Sequence, residues 1–184
     1  VKIAFTGSSD SSKWINFYEI ELYGNAIIAG DETEDPETIT KIPIETSELS
    51  GTWVAIGNRA KGYDGDVTSK WNPQSSGYAS GESIIFAFDG VYDLSQIEII
   101  FGSRYYYFTV STSLDGNDFT QIASITSDNQ GSYYTNEYVC LLSKLDALET
   151  KYVQISFTGS SDNNAWINLF EIDFYGTQSG NLPQ

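Results

Sequence analysis

Histidine is absent from this 184-residue chain. That removes Ser-His-Asp catalysis and any histidine-ligated metal centre. Cysteine occurs once, so no internal disulfide can form. That residue, Cys140, sits in Tyr138-Val-Cys-Leu-Leu142, an apolar strand-like run, and reads as a small buried hydrophobe rather than a nucleophile. Basic residues are scarce: nine against 25 acidic, for a formal net charge of −16. Such a surface repels phosphate backbones and anionic lipid, which argues against nucleic-acid and membrane partners. No stretch is long and apolar enough to span a bilayer. The N-terminus has no signal-peptide pattern, and it opens in mid-strand, as expected of a piece of a longer protein. Helical periodicity is missing too; residues 143–150 offer at most one helical turn.

What is abundant points the other way. The chain holds 13 Tyr, 10 Phe, four Trp and 16 Gly, a mixture that favours short strands and turns. Apolar residues alternate at Ile84, Phe86 and Phe88; at Ile97, Ile99 and Phe101; and at Tyr106, Phe108 and Val110. The same habit recurs at Val1, Ile3 and Phe5, at Ile155 and Phe157, and at Phe170, Ile172 and Phe174. Each set reads as a strand with one face on a core. Leu114-Asp-Gly-Asn-Asp118 is a hairpin turn between two of them. The expected fold is all-β, an antiparallel β-sandwich.

The two ends of the chain repeat one another. Residues 1–24 match residues 153–176 at a fixed offset of 152, with 15 of 24 positions identical. Between them, 25–43 is acidic, carries two prolines and lacks aromatics, and reads as a linker. Linker and the following 44–176 together span the offset. Segment 1–24 is therefore either the terminal hairpin of a preceding copy, implying tandem repeats, or an extra edge hairpin on this module. Residues 177–184 are a tail.

Four stretches occur in order: Tyr63-Asp-Gly-Asp-Val-Thr-Ser-Lys-Trp71, Phe88-Asp-Gly-Val-Tyr-Asp-Leu-Ser-Gln-Ile97, Tyr107-Phe-Thr-Val-Ser-Thr-Ser-Leu-Asp-Gly-Asn-Asp-Phe119, and the closing Lys151–Phe157 run with Leu169-Phe-Glu-Ile-Asp-Phe-Tyr-Gly176. The series resembles the discoidin, or coagulation-factor type C, domain superfamily over roughly residues 44–176. Within it the chain is most similar to family 32 carbohydrate-binding modules of bacterial glycan-degrading enzymes. The resemblance implies a discoidin-like jelly roll with a structural calcium ion and a sugar site in loops at one end. Carried over position by position, it implies Asp64 and Glu171 as side-chain calcium ligands, Ser69 through its hydroxyl and carbonyl, and Gly62, Asp66 and Phe170 through carbonyls. Such hard oxygens on a Gly-containing turn suit calcium; an Asx-turn without metal is the structural alternative. Glu19, the counterpart of Glu171 in the first copy, is expected to hold no metal.

Sugars are held by an exposed aromatic ring beside a few polar groups. The candidate loops supply Arg104 as a hydrogen-bonding cation, Trp53 and Tyr105 as stacking platforms, and Asn58, Asn163 and Asn164 as hydroxyl partners. Arg59 and Trp166 complete the set. Trp71 is expected in the core. Trp166 and its twin Trp14 fit packing beneath a loop better than exposure, Trp53 suits a strand equally well, and one of Tyr105, Tyr106 and Tyr107 must be buried by alternation. Arg59, Lys61, Lys70 and Arg104 gather four of the nine cations near these loops, which favours an anionic glycan such as an alginate-like polyuronate. The expected function is non-catalytic: a secreted, extracellular module that anchors a covalently linked catalytic domain, a glycoside hydrolase or polysaccharide lyase, to polysaccharide beside a sister module. The alternative is a discoidin-type adhesion module for a protein or cell surface.

Overall fold

Among the described residues ten strands follow one another: β1 (Thr40–Lys41), β2 (Ile44–Leu49), β3 (Val54–Ile56), β4 (Asn72–Gln74), β5 (Ser83–Phe101), β6 (Tyr106–Ser113), β7 (Thr120–Ile125), β8 (Tyr134–Asn136), β9 (Val139–Ser160) and β10 (Leu169–Gln178). They are seen in a computed structural model that describes residues 39–49, 54–56, 58–74, 83–136, 138–162 and 166–179. Helix in the described residues is limited to two short 3-10 turns, Arg59–Gly62 and Gln130–Ser132. The repeat segment 1–24 lies outside the described residues, so its Trp14 and Glu19 do too.

Every strand pairing is antiparallel. The large sheet runs β1-β10-β5-β9-β6-β7, with β2 also on β5 and β8 also on β9; β3 and β4 form a separate pair. The two longest strands, β5 and β9, change phase along their length. In β5 the buried residues are Ile84, Phe86, Phe88, Tyr92 and Leu94, then Ile97, Ile99 and Phe101. The parity flips between Leu94 and Ile97, where the pairing with β9 shifts register between Leu94 and Gln96. A bulge of this kind bends a strand and turns its other edge inward. Both halves of β5 thereby face one core. The same happens in β9, where Cys140, Leu142 and Thr150 precede Val153, Ile155 and Phe157.

That core is aromatic. Phe174 lies 5.3 Å from Phe86 and 5.1 Å from Phe88 between ring centroids. Phe101 contacts Tyr106 at 4.7 Å and Phe157 at 6.1 Å. The tilted and edge-on arrangements are those that aromatic quadrupoles favour. Trp71 and Cys140 are fully buried, as expected, and Leu114–Asp118 turns β6 into β7.

Three expectations are corrected. Residues 143–150, read as holding at most one helical turn, are strand within β9. The linker read over 25–43 ends inside the sheet: Thr40 and Lys41 pair with Gly176 and Tyr175, and Ile42 is buried and donates its N–H to the Phe174 carbonyl at 2.8 Å. Pro43 and the acidic run preceding Ile39 hid it. In β10 the simple alternation Phe170, Ile172, Phe174 also fails. Register shifts between Leu169 and Glu171, so Leu169 and Ile172 enter the core while Phe170 is only half-buried.

Gly176 closes the β1–β10 edge against the β5 backbone. A Cβ placed there would lie 2.2 Å from the Asp93 carbonyl oxygen. Backbone cannot yield as a side chain would. Gly176→Ala is expected to cost about 1–3 kcal/mol, the range for overpacking, read as a lower urea midpoint at unchanged slope.

Candidate functional site

The loop from Asn58 to Trp71 is built by short-range polar contacts. Asn58 caps the 3-10 turn, its side-chain oxygen accepting the Ala60 N–H at 3.1 Å. Gly62 then passes close to Trp71 and Leu169; a Cβ there would meet Leu169 Cδ2 at 3.1 Å and Trp71 Cε3 at 3.3 Å. Trp71 and Leu169 exchange backbone hydrogen bonds of 2.8 and 3.0 Å, which ties the end of the loop to the start of β10. Between these anchors the chain turns at Gly65, whose φ of +81° suits glycine. Asp64 Oδ1 accepts the Asp66 N–H, and Asp66 Oδ1 accepts both the N–H and the hydroxyl of Thr68. The Thr68 hydrogen bonds hold the Asp66 carboxyl below its ordinary value.

Across this loop stands Glu171. The bulge at Phe170 re-aims it, and it is only 3% exposed. Both carboxylate oxygens accept the Gly65 N–H at 3.1 Å. Burial, with Asp173 nearby, pushes the Glu171 carboxyl up to about 7. The nearest cation, Lys41 Nζ, lies 3.7 Å away and also pairs with Asp173. A buried carboxylate with so little positive charge is costly.

Within the loop, several oxygens gather around Ser69. Ser69 Oγ lies 3.4 and 3.3 Å from the two Asp64 carboxylate oxygens and 3.4 Å from the Lys61 carbonyl. The Asp66 carbonyl accepts the Ser69 N–H at 3.0 Å. Among the described residues no three His, Cys, Asp or Glu side chains gather as a metal group. A set of two carboxylates, a hydroxyl and carbonyls has the chemistry of a calcium site rather than a zinc site. The residues present therefore fit the ion. Of the expected ligands, Asp64, Asp66 and Ser69 lie on this one loop, and Glu171 reaches it through the Gly65 N–H. Gly62 serves as the close-packing residue. Phe170 sits at the bulge, its ring against Gly102, where a Cβ would meet Phe170 Cε2 at 2.2 Å. The Lys61 carbonyl was not among the carbonyls the resemblance implied, which were those of Gly62, Asp66, Ser69 and Phe170.

The other candidates lie on the Gly102–Tyr106 loop and its neighbours. Arg104 is largely buried: its Nε lies 3.0 Å from Asp162 Oδ2, and its Nη1 donates to the Trp166 carbonyl at 3.0 Å. Its guanidinium carbon also lies 5.9 Å from the Tyr106 ring centre. Arg104 thus clamps two loops together. Trp166 is half-buried, and its carbonyl also accepts the Tyr106 hydroxyl at 3.0 Å. Arg59 is exposed and donates to the Ser47 carbonyl at 2.6 Å. Asn58 works as a cap. Trp53, Asn163 and Asn164 lie outside the described residues.

Tyr105 is half-buried against two rings, Tyr134 at 4.9 Å and Tyr138 at 5.6 Å. Neither partner was singled out in the sequence, since both come from a distant stretch. Tyr134 is held at both ends of its hydroxyl. It accepts the Tyr106 N–H and donates to the Tyr106 carbonyl, each at 2.9 Å, and burial pushes its pKa far up. Asn168 was also missed. It donates its N–H to the Tyr106 hydroxyl at 2.9 Å, and its amide nitrogen reaches Ser103 Oγ at 2.8 Å and the Gly102 carbonyl at 3.3 Å.

Comparison with known proteins agrees with this architecture. No curated protein matches the chain. Among solved structures, the CBM32 of AlyQ in complex with 4,5-unsaturated mannuronic acid is 24% identical, with a TM-score of 0.58, over 73% of this chain and 97% of that one. CBM32-1 from a family 31 glycoside hydrolase of Clostridium perfringens is 20% identical, with a TM-score of 0.58, over 77% and 99%. A family 89 glycoside hydrolase of Clostridium perfringens in complex with PUGNAc is 25% identical, with a TM-score of 0.56, over 74% of this chain but only 14% of that enzyme. Those folds share the β-sandwich described above, and the family profile of the F5/8 type C domain matches residues 43–172. The chain therefore belongs to the F5/8 type C, or discoidin, domain family.

Proposed function

We propose that this domain is a non-catalytic carbohydrate-binding module that anchors a secreted glycan-degrading enzyme to polysaccharide. The observation that carries the reading is the family match combined with a rim of tyrosines on loops braced by Arg104 and Asn168. Rings with C–H-stacking faces, held beside hydroxyl and amide groups, are what a sugar ring needs. Covalent attachment would keep the catalytic partner near its substrate through effective concentration, and a second copy would add avidity.

The glycan we favour is anionic, a polyuronate. Its support is the gathering of Arg59, Lys61, Lys70 and Arg104 in an otherwise acidic chain and the mannuronic acid bound to one structural neighbour. A uronate carboxylate would compete with Asp162 for the Arg104 fork. Binding of mannuronate oligosaccharides, followed by titration calorimetry, is expected to weaken as salt rises. Arg104→Lys keeps the charge but not the bidentate geometry, and is expected to weaken that binding severalfold; a drop in melting temperature alongside it measures the separate loss of the clamp on Asp162 and the Trp166 carbonyl. Binding confined to neutral sugars would discard the polyuronate; binding to no saccharide would discard the module reading.

We further propose that the Asp64–Ser69 turn and Glu171 hold a structural calcium ion. Asp64 and Glu171 would bind through carboxylates, Ser69 through its hydroxyl, and Lys61 and Asp66 through carbonyls. When bound, the ion supplies the positive charge that the buried Glu171 lacks. Without it, the raised Glu171 pKa has a definite sign. Its ordinary value is 4.5 and its folded value about 7, so folding favours the protonated form. The metal-free protein should be more stable near pH 4.5 and lose that margin as pH rises through 7. Calcium should reverse the trend. Glu171→Gln is expected to raise the melting temperature of the chelator-treated protein at pH 7.5 and to abolish the further rise that calcium gives the parent.

A further inference from the structure

One lysine stands against a row of acids on the last strand. β10 shifts register at Leu169/Glu171 and again at Tyr175/Gly176, and between those points it is regular. Successive side chains of a regular strand alternate faces. Ile172 and Phe174 therefore fill the core, and Glu171, Asp173 and Tyr175 share the other face. Glu98 of β5 pairs directly with Asp173 and adds a third carboxylate to that face. On the other side of β10 runs β1, only two residues long, with Lys41 paired to Tyr175. A long side chain reaches diagonally across such a pairing. Lys41 Nζ lies 2.5 Å from Asp173 Oδ1 and 3.7 Å from Glu171 Oε1.

The two carboxylates use this lysine differently. Asp173 is engaged at both oxygens: Oδ1 faces the ammonium and Oδ2 accepts the Tyr175 hydroxyl at 3.3 Å. Glu171 receives less. Gly65 shares one N–H between its two oxygens, and the ammonium stands beyond hydrogen-bond length. Glu171 is buried, whereas the Lys41 side chain is 48% exposed. The lysine is thus a partial counter-charge that is free to withdraw. An open cleft of about 390 Å³, lined by Lys41, Ile42, Pro43, Ile44 and Tyr63, adjoins it. That space lets solvent receive an ammonium that moves off Glu171.

We propose that Lys41 is the resident counter-cation of Glu171 and Asp173, and that it sets the strength of calcium binding by competing with the ion. This rests on the calcium reading above and adds a residue outside the ligand set. Two positive charges close to one carboxylate repel each other. With no ion, the ammonium offsets part of the acidic charge on this face. When an ion binds Glu171, the ammonium has to retreat toward Asp173 or the cleft. Lys41 therefore steadies the metal-free module and weakens its hold on calcium.

The test is calcium titration calorimetry on the whole, chelator-treated chain at pH 7.5, with melting temperatures taken alongside. Lys41→Met is expected to bind calcium about fivefold more tightly, the order of effect of one partly exposed charge near a divalent ion. In chelator it is expected to melt below the parent, and calcium is expected to give it the larger upward shift. Lys41→Gln also drops the charge and carries the same test if Lys41→Met does not fold. Lys41→Arg keeps the charge and is expected to bind calcium no more tightly than the parent. Lys151→Met controls for net charge. Lys151 lies between Thr150 and Tyr152, which pair with Tyr92 and Ala87 of β5, whereas Glu171 pairs with Ile100. That variant is expected to match the parent. Parent-like affinity in the uncharged Lys41 variants overturns the proposal and leaves the calcium site standing. So does a gain in Lys41→Arg, or an equal gain in Lys151→Met. A parent that binds no calcium removes both the calcium reading and the role of Lys41.

Discussion

A single buried carboxylate organises this end of the molecule. Glu171 sits on the last strand and is reached by the backbone N–H of Gly65, 106 positions earlier. It lies in the interior because a bulge at Phe170 breaks the alternation of β10 and turns two successive residues, Glu171 and Ile172, inward. One faces the Asp64–Ser69 loop and the other the aromatic core. The cost of burying such a charge is several times that of any surface contact around it. The loop and the strand are consequently bound into one unit whose stability depends on how the charge is met, by a proton or by a cation.

From that junction the sheet carries rigidity to the rim. β10 pairs with β5, and the ladder runs from Leu169–Phe101 to Gln178–Tyr92. The end of β5 delivers Phe101 to the start of the Ser103–Tyr106 loop, and the start of β10 delivers Asn168 beside it. The same strand end therefore touches both the Asp64–Ser69 loop, through the Trp71–Leu169 bridge, and the tyrosine rim, through Asn168. Glu171 follows Leu169 by two residues and Asn168 by three, and these two make the contacts to the loop and to the rim.

Much of the sandwich was legible because period-2 burial leaves a direct trace. Ile84-Phe86-Phe88, Ile97-Ile99-Phe101 and Tyr106-Phe108-Val110 all face the core as their alternation requires. The failures come where tertiary contacts override the pattern. Ile42 falls in Ile39-Thr-Lys-Ile-Pro-Ile44, where Pro43 and the acidic run before it pointed to a connection rather than a strand, yet its N–H completes the edge beside β10. Residues 143–150 lack clean alternation because β9 changes phase there to follow the bend of β5. At the candidate metal site, Asp64, Ser69 and Glu171 came from the family resemblance, and the Lys61 carbonyl was not among the positions it implied. At the rim, Arg104 and Tyr105 stood out as residue types, but their partners Asp162, Tyr134 and Tyr138 are brought to them only by the fold.

The rim also shows where this fold departs from local agreement between residue and backbone. Elsewhere the left-handed positions at turns are filled by glycine, as at Gly65 and Gly116. At Ser103 and Tyr138 they are not, and both of these residues border the ring cluster. A domain of this size has a narrow stability margin, roughly 5–15 kcal/mol, so two strained residues are a sizeable fraction of it. They are tolerated because the elements beneath them are over-determined: Tyr134 is tied at donor and acceptor, and Asn168 reaches Gly102, Ser103 and Tyr106. The rigid β5–β10 ladder is thus what lets the loops above it hold conformations that an isolated peptide would abandon. In the proposed binding role, such a pre-ordered rim would lose little ordering entropy on meeting a ligand.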